Sequence, residues 1–232
     1  MIISKDNLGF AAGNNRARKY CNGEYVLFLN SDTELNKSTL KETLLYIKKH
    51  RNVGAMTCKI VLPDGTLDKD ARRSFSTPWV GLTHFSGLDR LFPTSKLFSK
   101  YWYGYIPENK SHEVDVLQGA YFLVRKKVLD SVGWFDEDYF LDGEDIDLCW
   151  RIKEAGWKIV YYPKVSIKHI KKASKKNPTN NDREKFVLAG VESMRIFYKK
   201  HLWDKYPSIL NQIVMFGIDV TEIIRRLKLR MS

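Results

Sequence analysis

Short apolar runs alternate with stretches of helical spacing along most of the chain, the pattern of an α/β fold. Tyr25-Val26-Leu27-Phe28-Leu29 is a continuous apolar run and predicts a strand buried on both faces. Before it, Ala11 to Tyr20 predicts a short helix, with Asn22-Gly23 as the turn. After it, Ser38 to His50 puts Leu40, Leu44, Leu45 and Ile47 on one helical face, with Ser38 as N-cap. Val53 to Ile60 predicts a second strand, and Pro63-Asp64-Gly65 a turn of the kind that joins two strands. Val114 to Val124 returns to strand character, and Lys126 to Val132 is a short helix closed by Gly133. Glu144 to Ala155 is an amphipathic helix ended by Gly156, and Lys158 to Tyr162 a strand stopped by Pro163.

Two regions break this rhythm. Residues 72–113 mix many aromatic side chains with Gly, Pro and Ser, and read as a long insertion in the main domain. From Lys168 to Lys176 the chain is basic, which marks the end of that domain. The organisation expected is therefore a catalytic domain over residues 1–170, a basic loop over 171–181 and a helical appendage over 182–232. Within the appendage, Ile209, Ile213, Phe216, Val220, Ile223 and Leu227 recur near the helical period, and the helix ends in Arg225-Arg226-Leu227-Lys228-Leu229-Arg230. Asp219 and Glu222 interrupt the apolar run. That helix fits either an anionic membrane interface or packing on the domain or a second copy.

Composition narrows the classes. The 232 residues carry a formal net charge of +12 and are 44% hydrophobic, enough to build a core and to favour anionic partners. Three cysteines without close pairing argue against a disulfide scaffold or a zinc ribbon and suit a reducing, cytoplasmic setting. Met1-Ile2-Ile3 meets Lys5 and Asp6 too soon for a signal peptide, and no run reaches the ~18 apolar residues of a membrane span. No P-loop, dinucleotide fingerprint or nucleophile elbow occurs, and no nucleic-acid module accompanies the positive charge.

Three groups of residues could carry chemistry. Asn30-Ser31-Asp32-Thr33-Glu34 follows the first strand, where α/β sheets bind ligands and a carboxylate can hold a hard cation. The same residues also suit a plain strand-ending turn. Asp142, Glu144, Asp145 and Asp147 crowd the start of a helix, with Asp142 at the cap and Asp147, four residues before Arg151, expected to pair with it on the helix surface. Acidic first turns are common, yet this many like charges in so short a stretch exceeds what capping needs. His169, between apolar residues after a strand, is structural or a ligand.

Taken together, these pieces resemble family 2 glycosyltransferases of the GT-A fold, in particular the rhamnosyltransferase-like branch. The resemblance rests on Asn7-Leu8-Gly9-Phe10-Ala11-Ala12-Gly13-Asn14-Asn15, Gly23 to Asp32, Gln118 to Arg125, Gly133 to Glu137, Phe140 to Arg151, Gly156-Trp157 and His169. It implies a truncated GT-A domain: a Rossmann-like, mixed but mainly parallel sheet flanked by helices, without the usual N-terminal nucleotide-binding strands and followed by C-terminal amphipathic helices. The run Tyr25 to Leu29 would then lack one neighbour, and a second chain or copy could complete the sheet.

The resemblance also implies roles. Asp32 and His169 would hold a divalent cation, Mg or Mn. Asn7, Gly9, Asn14, Asn30, Asp32, Gly119 and Ala120 would face a UDP- or dTDP-type sugar donor. Asp145 would be the catalytic base, with Glu144 orienting it, and Asp142, Asp147, Trp150 and Arg151 would lie on the acceptor side. The implied reaction is inverting transfer of a sugar to a hydroxyl of a cell-surface glycan or lipid-linked acceptor, at the inner face of the plasma membrane. The alternative is a non-catalytic GT-A-like partner or fragment that docks on a complete enzyme or a membrane.

Overall fold

The computed structural model describes residues 7–171 and 180–231. In chain order the elements are α1 (Gly9–Asn15), β1 (Tyr25–Leu29), β2 (Thr33–Leu35), α2 (Thr39–Lys49), β3 (Val53–Val61), α3 (Pro78–Phe85), α4 (Leu88–Leu91), β4 (His112–Glu113) and β5 (Tyr121–Arg125). They continue with α5 (Lys126–Val132), α6 (Glu144–Glu154), β6 (Lys158–His169), α7 (Asn180–Phe197) and α8 (Ser208–Arg230). The described residues fall into two compact units, one drawn from Tyr20–Trp134 and Leu148–Ser174, the other from Met1–Lys19, Phe135–Asp147 and Lys175–Ser232.

The first unit contains one sheet in the order β1-β5-β3-β6-β2, with β4 paired to β6. The sheet is mixed, as expected, but not mainly parallel. Only β3 and β6 run parallel, while β1–β5, β3–β5, β2–β6 and β4–β6 are antiparallel. β1 stands at an edge among the described residues, and its burial alternates: Val26 and Phe28 point inward, while Leu29 is exposed. The expected two-sided burial belongs instead to β3, whose residues Val53 to Cys58 are all buried. Of these, the Val53 and Met56 side chains each contribute about 1.5–3 kcal/mol on leaving water.

Several local expectations are corrected. Residues 11–20 form no single helix; α1 ends at Asn15 and a 3-10 turn spans Arg18–Tyr20. In α2 the inward face carries Thr39, Thr43 and Ile47, while Leu40 and Leu45 are exposed. The threonines win because their hydroxyls find partners there. Thr43 Oγ1 lies 2.7 Å from the Tyr121 hydroxyl, and Thr39 Oγ1 donates to the Ser166 carbonyl at 2.9 Å. Ser38 makes no side-chain cap. Strand β5 begins only at Tyr121, since Gly119 and Ala120 turn before it. Nor does Pro163 stop β6: the β3–β6 register jumps from Cys58↔Tyr162 to Lys59↔Ser166, and the proline sits inside the bulge.

Residues 72–113 contain α3, α4 and β4, with Trp79, Leu82 and Phe85 exposed along α3. Of the cysteines, Cys58 and Cys149 are buried and Cys21 partly so; all are free thiols. Residues 172–179, most of the expected basic loop, lie outside the described residues.

In the second unit, α1 is tied to the 135–140 segment. Asn15 Nδ2 donates to the Phe135 carbonyl and to Glu137, each at 2.8 Å, and the Phe135 N–H returns to Asn15 Oδ1. Gly9, at φ +79°, sits so close to the Phe140 carbonyl that a Cβ would fall 2.2 Å from it. Helices α7 and α8 are joined by a π-helical turn over Tyr198–Leu202 and cross-linked by ions: Arg195 bridges to Asp219 at 2.8 Å and to Glu222 at 2.9 Å. No helix of the described residues is long and apolar enough to cross a membrane.

Candidate active site

In the sheet unit, a row of three side chains forms where β1, β2, β6 and the turn after β3 end. The antiparallel pairing of β2 with β6 sets Thr33 opposite His169, and the Ile170 N–H donates to the Asp32 carbonyl at 2.9 Å. This brings Asp32 and His169 together: Asp32 Oδ1 is 3.4 Å from His169 Nε2. The other ring nitrogen, Nδ1, lies 3.2 Å from Asp68 Oδ2. Asp68 is carried there by the hairpin turn after β3, its N–H bonded to the Ile60 carbonyl at 2.9 Å. His169 and Asp68 are buried, and Lys171 Nζ reaches Asp68 Oδ1 at 3.1 Å. Burial pushes the Asp68 carboxyl up, but the hydrogen bonds from His169 and Lys171 outweigh it and hold the group below its usual range.

This chemistry suits a divalent cation. Each ring nitrogen of His169 faces a carboxylate, and with Nδ1–H donated to Asp68 the Nε2 lone pair and Asp32 would together form a donor pair for a cation. Two donors 3.4 Å apart have the spacing of neighbouring ligands on a small cation with bonds of about 2.0–2.2 Å. Among the described residues no cluster of three or more His, Cys, Asp or Glu could hold a metal ion by itself, so the remaining ligands would have to be donor oxygens and water.

Close by in chain and sheet, the Asn30 N–H donates to the Ala120 carbonyl at 3.3 Å, and Thr33 Oγ1 to the Asn30 carbonyl at 2.7 Å. Asn30 is thus joined through the backbone to Gly119-Ala120, both buried. Next to them, Gln118 Oε1 is buried without a hydrogen-bond partner. Such an orphaned acceptor costs about 1–3 kcal/mol unless a donor meets it. Trp150 packs edge-on against Phe75, centroids 4.7 Å apart, and Arg151 donates to the carbonyls of Val132, Gly133 and Trp134.

In the second unit stands the acidic helix start. Asp142 (φ 65°) and Gly143 (φ 90°) form a left-handed bend that launches α6. A Cβ on Gly143 would meet the Ser193 Cβ at 2.7 Å, so the bend and α7 fit only around glycine. Ser193 Oγ donates to the Asp142 carbonyl. Glu144, Asp145 and Asp147 are all buried, and Asp145 Oδ1 accepts the Ile146 N–H at 2.8 Å, which fixes its carboxylate plane. Asp147 was expected on the helix surface; it is 1% exposed, and its Oδ1 lies 2.7 Å from His201 Nε2. Asn7 and Asn14 have local tasks in this unit, the first accepting the Gly9 N–H and the second donating to the Phe10 carbonyl.

Three residues of these two groups escape a linear reading. Asp68 was detectable only from the need of a ligating histidine for a carboxylate on its second nitrogen. His201 lies in the appendage, far from the acidic helix in sequence. Gln118 reads as one residue of a block, and only the fold shows that its side-chain oxygen is buried.

The family model for glycosyltransferase-like family 2 matches residues 1–186. The chain is 28% identical over 169 residues to the O-antigen biosynthesis protein RfbC of Myxococcus xanthus, covering 72% of this chain and 12% of that protein. It is 29% identical over 174 residues to the N-acetylglucosaminyl-diphospho-decaprenol L-rhamnosyltransferase of Mycobacterium tuberculosis, covering 75% of this chain and 54% of the relative. In fold it is similar to the crystal structure of GalNAc-T7 with UDP, GalNAc and Mn2+, at a TM-score of 0.53 and 14% identity, over 84% of this chain and 36% of that one.

Proposed function

The chain belongs to glycosyltransferase-like family 2, and from that premise we propose that it moves a sugar from a nucleoside-diphosphate donor to an acceptor hydroxyl with inversion. The observation that carries this reading is the Asp32–His169–Asp68 row. Asp32 and His169 would hold Mg or Mn against the donor diphosphate, and Asp68 keeps the histidine ring in its ligating tautomer. When bound, the cation supplies positive charge to the departing diphosphate. Asn30 and Gly119-Ala120 face the donor, where Gln118 Oε1 accepts a sugar hydroxyl. Asn7, Gly9 and Asn14 shape the segment that the resemblance assigns to the same ligand.

Asp145 takes the proton of the acceptor hydroxyl while that oxygen bonds the anomeric carbon and the bond to the diphosphate oxygen breaks. Glu144 orients the acceptor, and Asp142, Asp147, Trp150 and Arg151 serve its side of the reaction, with His201 holding Asp147 in place. The names of the relatives, one an O-antigen protein and one acting on a lipid diphosphate, favour a cell-surface glycan or lipid-linked acceptor and a rhamnosyl or hexosyl donor.

Asp145→Asn should lower kcat by about 10²–10⁴ while circular dichroism and donor affinity stay unchanged. Unaltered turnover in that variant removes Asp145 from the chemistry. Calorimetry with UDP- and dTDP-sugars in the presence of Mn2+ separates catalysis from a docking role: silence at millimolar ligand points to the non-catalytic partner.

A further inference from the structure

Helix α8 has two opposite faces, and only one of them is used. Asn211 and Ile218 are buried, and Asn211 Oδ1 accepts the Tyr198 hydroxyl at 2.8 Å while its amide donates to the Trp203 and Tyr206 carbonyls. At about 100° per residue, Ile209, Ile213, Phe216, Val220, Ile223 and Leu227 fall within an arc of about 80° on the other side. That side is bare: Ile209 is 73% exposed, Phe216 70% and Leu227 52%. An apolar stripe of this length is uncommon on a soluble surface and marks a docking face.

The charges around the stripe select its partner. The acidic residues of the helix are turned away and neutralised, Asp219 and Glu222 by Arg195, and Glu222 also by Arg226 at 2.9 Å. At the open end, Lys228 and Arg230 lie in the last turn, one on each flank of Leu227. The chain as a whole carries +12. A straight apolar stripe with basic flanks matches a flat anionic surface, where apolar side chains enter the acyl boundary and the cations meet headgroups. A second copy laid parallel would instead set Lys228 and Arg230 against their own kind.

We propose that α8 docks this chain on anionic lipid, lying in the plane of the membrane with its Ile209–Leu227 stripe inserted. The inference is independent of sugar transfer, because lipid binding is read without donor or acceptor. The full chain should float with vesicles of phosphatidylcholine and phosphatidylglycerol, at least tenfold more tightly than with phosphatidylcholine alone. Phe216→Asp and, separately, Ile213→Asp should weaken that binding tenfold or more with an unchanged melting curve, since both side chains are exposed. Paired Lys228→Ala and Arg230→Ala should remove the preference for anionic vesicles while leaving the weak neutral binding. Absence of flotation, or full flotation by Phe216→Asp, overturns the proposal. So does a solution dimer that Phe216→Asp dissociates without any vesicle binding, which would assign the face to a second copy.

Discussion

Strand β3 and helix α8 are both rich in apolar residues and use them in opposite ways. In β3 every residue from Val53 to Cys58 is buried, whereas α8 spans 23 residues and buries only Asn211 and Ile218. One of those anchors is polar, held by three hydrogen bonds rather than by apolar area. Periodicity therefore reports which residues share a face. It does not report whether the protein itself covers that face. The strand is held by the hydrophobic effect, while the helix is held by a buried amide and a web of arginine–carboxylate contacts.

The sharpest way to break this contrast is to shorten a side chain in each region. Met56→Ala, in the middle of β3, should cost about 2–5 kcal/mol in urea unfolding, because it opens a cavity in a fully packed row. A loss below 1 kcal/mol would mean that β3 is less tightly packed than its burial indicates. Next in size, Asp68→Asn should weaken Mn2+ binding about 10–100-fold, measured by calorimetry, because the ring of His169 loses its charged partner. Retained affinity would detach Asp68 from the metal reading. A pH scan separates the regions more gently. Hydrogen bonds from Arg195 and Arg226 hold the Glu222 carboxyl below its usual 4.5. A lowered carboxyl stabilises the fold above its unfolded pKa, and that contribution is lost as pH falls through the lower, folded value. Amide exchange in α7 and α8 should therefore rise below pH 4.5 before β3 opens, though solvent screening keeps the effect modest. Smallest of all, Ile213→Ser should change stability by no more than about 0.5 kcal/mol, as its side chain touches water already.

Much of the architecture was legible because it rests on local signals. The Gly133 and Gly156 stops, the Pro63-Asp64-Gly65 turn and the helix over Glu144–Glu154 all follow from backbone preferences within a few residues. What the sequence hid depends on partners far along the chain. Thr39 and Thr43 face inward in place of Leu40 and Leu45, since Ser166 and Tyr121 supply hydrogen bonds that no helical wheel contains. Pro163 reads as a strand breaker until the bulge that receives it is known. Antiparallel pairing of β1 is invisible for a like reason, because an apolar run carries no direction. Of the candidate chemistry, Asp32 and His169 were both singled out and meet in the sheet, whereas Asp68 and His201 each needed the folded chain to bring them to their partners.

The interruption in β6 has a consequence for the chain's arithmetic. Between Tyr162 and Ser166 the strand spends three residues that its neighbour β3 lacks, an odd surplus in a structure whose side chains alternate left and right. Removing a single residue there would flip the terminal segment. His169 would then look away from Asp32 and Asp68 although no reactive group had been altered.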